Sequence, residues 1–249
     1  MDNKNKKSAL WKRTLLTVLV AYFTRLISCG IHELLGHGLW ALIFGANKIS
    51  VHVSWLGFGW CKWQGASSSY TAQVMIIAGG LLNTFIIGAV LLAFLFLAPK
   101  KGGFYLRLPM FWLGFWAVIT QAGYLFLGGL TSLGDPWELH QLTGVPLSLF
   151  VFLGFSLFLI AYFAVSVLFL SEVTELFPEY SQRVLLFEFW LTIPIQTIFL
   201  MASPEHIISI GQFTAFFSLS MVPSLLAIPL FSRIQSWKSK IEKRKEGEV

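Results

Sequence analysis

A chain of 249 residues that is 56% hydrophobic and 12% charged, with 24 Phe and 10 Trp, carries more apolar surface than a soluble domain of its length can bury. An ordinary water-soluble enzyme is excluded, and two cysteines, Cys29 and Cys61, are too few for a disulfide framework and lack metal-ligand spacing. The net charge of +6 sits in tails and connectors rather than on a folded basic face, so the expected partner is the lipid bilayer and no nucleic acid.

The chain opens on a basic segment, residues 1–13, and closes on another, 232–249. Between them lie about six apolar runs, at 14–45, 71–98, 109–130, 146–170, 184–202 and 207–231. Each is long enough to span a bilayer, since roughly 20 residues cross the hydrocarbon core. The first is over-long, so it tilts strongly or projects beyond the bilayer. The stretch "GANKISVHVSWLGFGWCKW" (45–63) alternates β-branched or aromatic with polar residues, the pattern of a strand or hairpin within segment 46–70. The predicted fold is therefore an all-α polytopic membrane protein of about six transmembrane helices, with a small membrane-associated β-hairpin after the first. Its parts are a core at 14–140, three further helices at 141–231 and the two tails. Lysines and arginines concentrate before the first run, after the second and after the last, which places both termini in the cytoplasm by the positive-inside rule.

Inside the first run stands "IHELLGHGL" (31–39), with three ionisable residues: His32, Glu33 and His37. Such residues are expensive in a membrane span and by default mark function or a buried partner. The zinc-protease pattern H-E-x-x-H puts its histidines at i and i+4. Here the pattern is H-E-x-x-x-H, and an i,i+5 pair lies about 140° apart around an ideal α-helix. Two geometries would still allow a metal site. A π-bulge, eased by Gly30, Gly36 and Gly38, would return both histidines to one face. Alternatively the ligands are Glu33 and His37, already i,i+4, with His32 behind them. The plain structural alternative is a pair of histidines hydrogen-bonded to neighbouring helices.

Further on, "AGGLLNTFIIGAVL" (78–91) opens the second run with small residues and Asn83, and Asp135 stands in "LGGLTSLGDPWEL" after the third. Over roughly residues 20–140 this order of elements resembles the site-2 protease family of intramembrane zinc metalloproteases. In that family an H-E-x-x-H helix is followed by a short sheet with a G-F-G-like turn, a helix with a G-P-x-x-N pattern, and an Asp in an L-D-G-like motif. The resemblance implies Zn2+ held by His32, His37 and Asp135, with Glu33 as general base and Asn83 in substrate binding or structural support. It implies hydrolysis of a peptide bond in or near the membrane span of a membrane-anchored protein substrate. The sequence departs from the family at the inserted residue, at Leu81 where Pro is usual, and at Pro136 where Gly is usual.

From local sequence alone Asp135 also reads as a helix N-cap, with Pro136 at the first helical position and Glu138 at the third. His140 is the substitute ligand. Arg25, seven residues before His32, is expected to pair with Glu188 of the fifth run. Two other functions fit the composition: a catalytically inactive relative that binds membrane proteins, and a metal transporter. A transporter would carry ionisable residues on several spans lining one path, and here the later runs are nearly devoid of them apart from Glu188.

Overall fold

Residues 3–55, 57–97, 104–176, 222–223, 225–233 and 236 are described by a computed structural model. The chain divides into two units, Met1–Phe158 and Leu159–Val249. The first unit opens with α1 (Asn3–Gly30), which passes without a break into a π-helical segment (Ile31–Gly38) and then α2 (Leu39–Ile43). A hairpin follows, β1 (Lys48–Val53) and β2 (Gly59–Gln64). Next come α3 (Tyr70–Leu97), α4 (Phe104–Thr131), the short α5 (Gly134–Thr143) and α6 (Leu147–Leu176), which runs on into the second unit.

Four helical stretches are long and apolar enough to cross a membrane: Leu15–Ile43, Tyr70–Leu97, Leu106–Thr131 and Leu147–Ser171. They coincide with the first four predicted runs. The run at 184–202 and most of 207–231 lie outside the described residues, as does Glu188, and in the second unit 222–223 and 225–233 are helical. At the other end, helix extends back through the basic segment to Asn3. No Gly or Pro precedes Gly30, so nothing in the sequence stops the helix at the polar boundary.

Small residues and aromatics set the packing of the first unit. A Cβ on Gly88 of α3 would meet Ala117 Cβ at 2.6 Å and Gly114 O at 3.0 Å, so α3 and α4 cross at backbone contact. Trp112, Phe115 and Trp116 of α4 are almost wholly buried, and Trp116 Nε1 donates to Ala21 O of α1 at 2.7 Å. α5 is seated by Leu139, buried with Ile77 and Leu81 of α3 against Tyr124 and Leu125 of α4.

The hairpin folds back along the first helical stretch. Ile49 lies by Gly38, Gly59 by Glu33 and Cys29, and Trp55 O accepts from Tyr22 Oη at 2.7 Å. Six-residue strands at about 3.3 Å per residue cover the distance needed to follow a helix for several turns. The register pairs Lys48 with Gln64 through Val53 with Gly59, and Ser54 N–H donates to Phe58 O at 2.7 Å as the ladder enters the turn. Hydrogen-bonded pairs alternate in an antiparallel ladder. Val53–Gly59, Val51–Cys61 and Ile49–Trp63 are thus the non-bonded pairs. On β2, the backbone groups of Gly59, Cys61 and Trp63 point away from β1, and among the described residues the sheet has no third strand.

Candidate metal centre

The extra residue of the H-E motif is absorbed by a change of helical register. Over Ile31–Gly38 the hydrogen bonding is i→i+5, with Leu39 N–H donating to Leu34 O at the exit. In that register residue i+5 stands above residue i, as i+4 does in an α-helix. His32 and His37 therefore share a face, and their Nε2 atoms lie 3.2 Å apart. The wider turn is held from outside. Asn83 Nδ2 of α3 donates to Leu35 O at 2.7 Å, and a Cβ on Gly36 would meet Gly80 Cα at 2.5 Å, so the segment rests on α3 backbone to backbone. Asn83→Ala should lower the melting temperature in detergent by the equivalent of about 1 kcal/mol, the usual net value of one hydrogen bond.

Asp135 completes the group. The N-cap of α5 is Leu133, without a side-chain cap, and Asp135 is the helix's second residue. The predicted cap geometry is displaced because the helix starts two residues early, at Gly134 with φ +63°. A Cβ on Gly134 would run into the Tyr124 hydroxyl, which accepts the Asp135 N–H at 3.1 Å. The carboxylate faces the histidines instead. Asp135 Oδ2 lies 3.3 Å from His32 Nε2 and 3.4 Å from His37 Nε2, without hydrogen-bond geometry to any group. Burial pushes the Asp135 carboxyl up, but its contacts with His32 and His37 and their charge outweigh burial and hold it well below the usual carboxylate range.

Tautomers follow from the outer contacts. His37 Nδ1 donates to Ile76 O at 2.8 Å, so Nε2 is the ring nitrogen that faces the group and would bind an ion on losing its proton. Its ring stacks on Trp63 of β2, with centroids 6.5 Å apart, while His32 meets Tyr124 edge-on at 6.0 Å. All three residues are buried, and together they could hold a metal ion.

Glu33 stands outside this group. It is buried, couples electrostatically to His32, His37 and Asp135, and packs against β2, where a Cβ on Gly59 would meet its Oε1 at 2.9 Å. The alternative with Glu33 as ligand and His32 behind it is not the arrangement found. His140 is also elsewhere, with Nδ1 bonded to Val145 O at 2.8 Å and its ring against Trp137. Arg25 is buried, and its Nε has no hydrogen-bond partner among the described residues.

Tyr124, Trp63 and the Ile76 carbonyl, which pack on or bond the two histidines, carry no motif, whereas Gly80 sits in the stretch matched to G-P-x-x-N. The small-residue opening of α3 was the one available sign of close approach. Comparison of the chain with protein-family models, with curated proteins and with solved structures finds no match.

Proposed function

We propose that the chain is a six-span integral membrane protein with both termini cytoplasmic, acting as an intramembrane zinc metalloprotease of site-2 protease type. The observation that carries this reading is the triangle of donor atoms, with edges of 3.2, 3.3 and 3.4 Å. Zinc bonds of 2.0–2.2 Å to nitrogen and oxygen, set tetrahedrally, give edges of about 3.3–3.6 Å, and the observed edges sit at the short end of that range. Two imidazoles and one carboxylate leave a fourth position for water, as catalytic zinc sites do. When bound, zinc supplies a Lewis acid that lowers the pKa of its water to about 7 and polarises the scissile carbonyl.

The remaining chemistry belongs to the chain. Glu33, adjacent in sequence to a ligand yet free of the donor triangle, takes the proton of the attacking water and delivers it to the leaving amine nitrogen. The outward backbone groups of Gly59, Cys61 and Trp63 pair with an unwound substrate segment by β-augmentation, extending it along Glu33 and His37. Burial of the site among α1, α3, α4 and α5 confines the reaction to a water-poor space, where these electrostatic contacts are strong.

The case for an inactive relative rested on the inserted residue, and the π register removes its geometric objection. Transport is disfavoured because, among the described residues, Arg25, His32, Glu33 and His37 lie on the first apolar helix, and the other three such helices carry one buried basic or acidic residue, Arg107 near the start of the third, which donates to Leu95 O. Elemental mass spectrometry of protein purified without chelators tests the reading. Wild type should hold near-stoichiometric zinc, and His32→Ala, His37→Ala and Asp135→Asn should each lose it. Zinc at background in wild type would sink the proposal.

A further inference from the structure

Arg25 is 7% exposed, and among the described residues its guanidinium makes no ion pair or hydrogen bond, with Nε shut away from solvent. Few groups are costlier to bury within an apolar helix without a partner. Arg107, the other buried arginine, donates to Leu95 O at 2.6 Å, as buried polar groups ordinarily do. The neighbouring sequence offers Arg25 no counter-ion. Between Glu33 and Asp135 the chain has no acidic residue, and Glu33 couples to His32, His37 and Asp135 rather than to Arg25.

The place of Arg25 on the helix fixes what it faces. Tyr22, Arg25, Cys29 and Glu33, at spacings of three and four, line one side of the first helical stretch. The other three of these meet the hairpin. Tyr22 Oη donates to Trp55 O, and a Cβ on Gly59 would meet Cys29 Sγ at 2.8 Å and Glu33 Cγ at 2.7 Å. Cys29 couples electrostatically to both Arg25 and Glu33, one helical turn from each. Arg25 therefore faces the turn of the hairpin, at a level between Trp55 and Gly59. Three carbonyls of that turn are engaged elsewhere. Trp55 O is taken by Tyr22, Ser54 O accepts from Gly57 N–H at 2.9 Å, and Phe58 O accepts from Ser54 N–H at 2.7 Å.

We propose that Arg25 anchors a substrate carboxylate, an Asp or Glu side chain on the strand that pairs with β2. A guanidinium holds a carboxylate through two parallel hydrogen bonds, and a buried one does so with little competition from water. From Arg25 to Glu33 is eight residues, about 12 Å along a helix. An extended peptide covers that distance in about three or four residues, which is where the acid stands relative to the scissile bond. The substrate supplies the charge that the free protein lacks, and so acidic segments are selected from otherwise apolar ones. The inference rests on the protease reading for the location of the scissile bond, while the carboxylate site itself is independent of metal.

The probe is a fluorescent single-span peptide of leucine and alanine with a central glycine pair. One Asp is moved along it residue by residue and compared with Asn at the same place. Binding is read by anisotropy in detergent, on protein stripped of metal. Wild type should bind the best Asp peptide about 10–100-fold more tightly than its Asn counterpart, the usual span for a hydrogen-bonded charge. Arg25→Met should lose that preference, and Arg25→Lys, which keeps the charge without the fork, should retain part of it. Thermal unfolding separates this role from a structural one. Removing an unpaired buried charge should leave the melting temperature of Arg25→Met at or above that of wild type. With metal restored, cleavage of the best peptide should map about three or four residues from its Asp. No preference for Asp at any position would overturn the proposal. So would a matched fall in melting temperature in Arg25→Met and Glu188→Gln, which would make Arg25 half of a structural ion pair. Stabilisation of wild type but not Arg25→Met by phosphatidylglycerol, without an Asp preference, would give the site to a lipid phosphate instead. If Asp is preferred but no peptide is cut, the protease reading fails and the carboxylate site stands.

Discussion

Glu33→Gln should leave the zinc content at the wild-type level while lowering peptide-bond cleavage by about 10²–10⁴-fold, the range ascribed to a positioned general base. Metal is retained because Glu33 is not among the three converging donors, which are His32, His37 and Asp135. The fold is retained because the amide is isosteric with the carboxylate and costs less to bury than a charge. Its melting temperature should therefore match or exceed that of wild type. The loss is confined to the proton transfer, since glutamine cannot accept a proton from water. Cleavage of single-span reporter proteins co-expressed with the chain, paired with elemental analysis of the purified variant, reads both halves. Retained cleavage would remove Glu33 from the mechanism, and lost zinc would make it a ligand or a structural support.

How much of this is legible in the sequence depends on whether the signal is local. The first four long apolar helices are, because runs such as 71–98 are continuous and apolar enough to cross a membrane and leave few choices of boundary. The hairpin was legible from alternation in 45–63, though not its path back along α1, which depends on Tyr22 and Gly59 meeting partners distant in sequence. The π segment is the instructive case. Histidines at i and i+5 are incompatible with one metal on an α-helix, so a metal reading demanded a register change, and the glycines marked where it was cheap. Asp135 went the other way. The D-P-W-E pattern suggested a cap, but Gly134 begins α5 early and the carboxylate turns to the histidines, a tertiary preference that local propensity does not encode. Arg25 is buried as its apolar surroundings implied, while Glu188, its expected partner, lies outside the described residues.

Gly80→Ala should weaken zinc binding by at least about 100-fold while leaving the protein folded, and this sets local propensity directly against the site. By helix propensity alone, alanine is better than glycine in the interior of α3 by about 1 kcal/mol. At this position, however, a Cβ would meet His37 Nε2 and Cε1 at 2.5 Å and His32 Cε1 at 2.8 Å. His37 cannot swing away cheaply, because its Nδ1 is tied to Ile76 O and its ring is stacked on Trp63. A displacement of even about 0.5 Å breaks the geometry that a preorganised ligand set requires. Two further alanines separate the site effect from general damage. Gly30→Ala meets nothing within 4 Å and should keep both fold and metal. Gly88→Ala would press on Ala117 Cβ at 2.6 Å, far from the ligands, and should cost about 1–3 kcal/mol of stability by overpacking while zinc stays bound in the folded fraction. Thermal unfolding and zinc titration of the three variants give the answer. If Gly80→Ala binds zinc as wild type does, the histidines are not held against α3, and the close approach of the π segment to that helix has no role in the metal site.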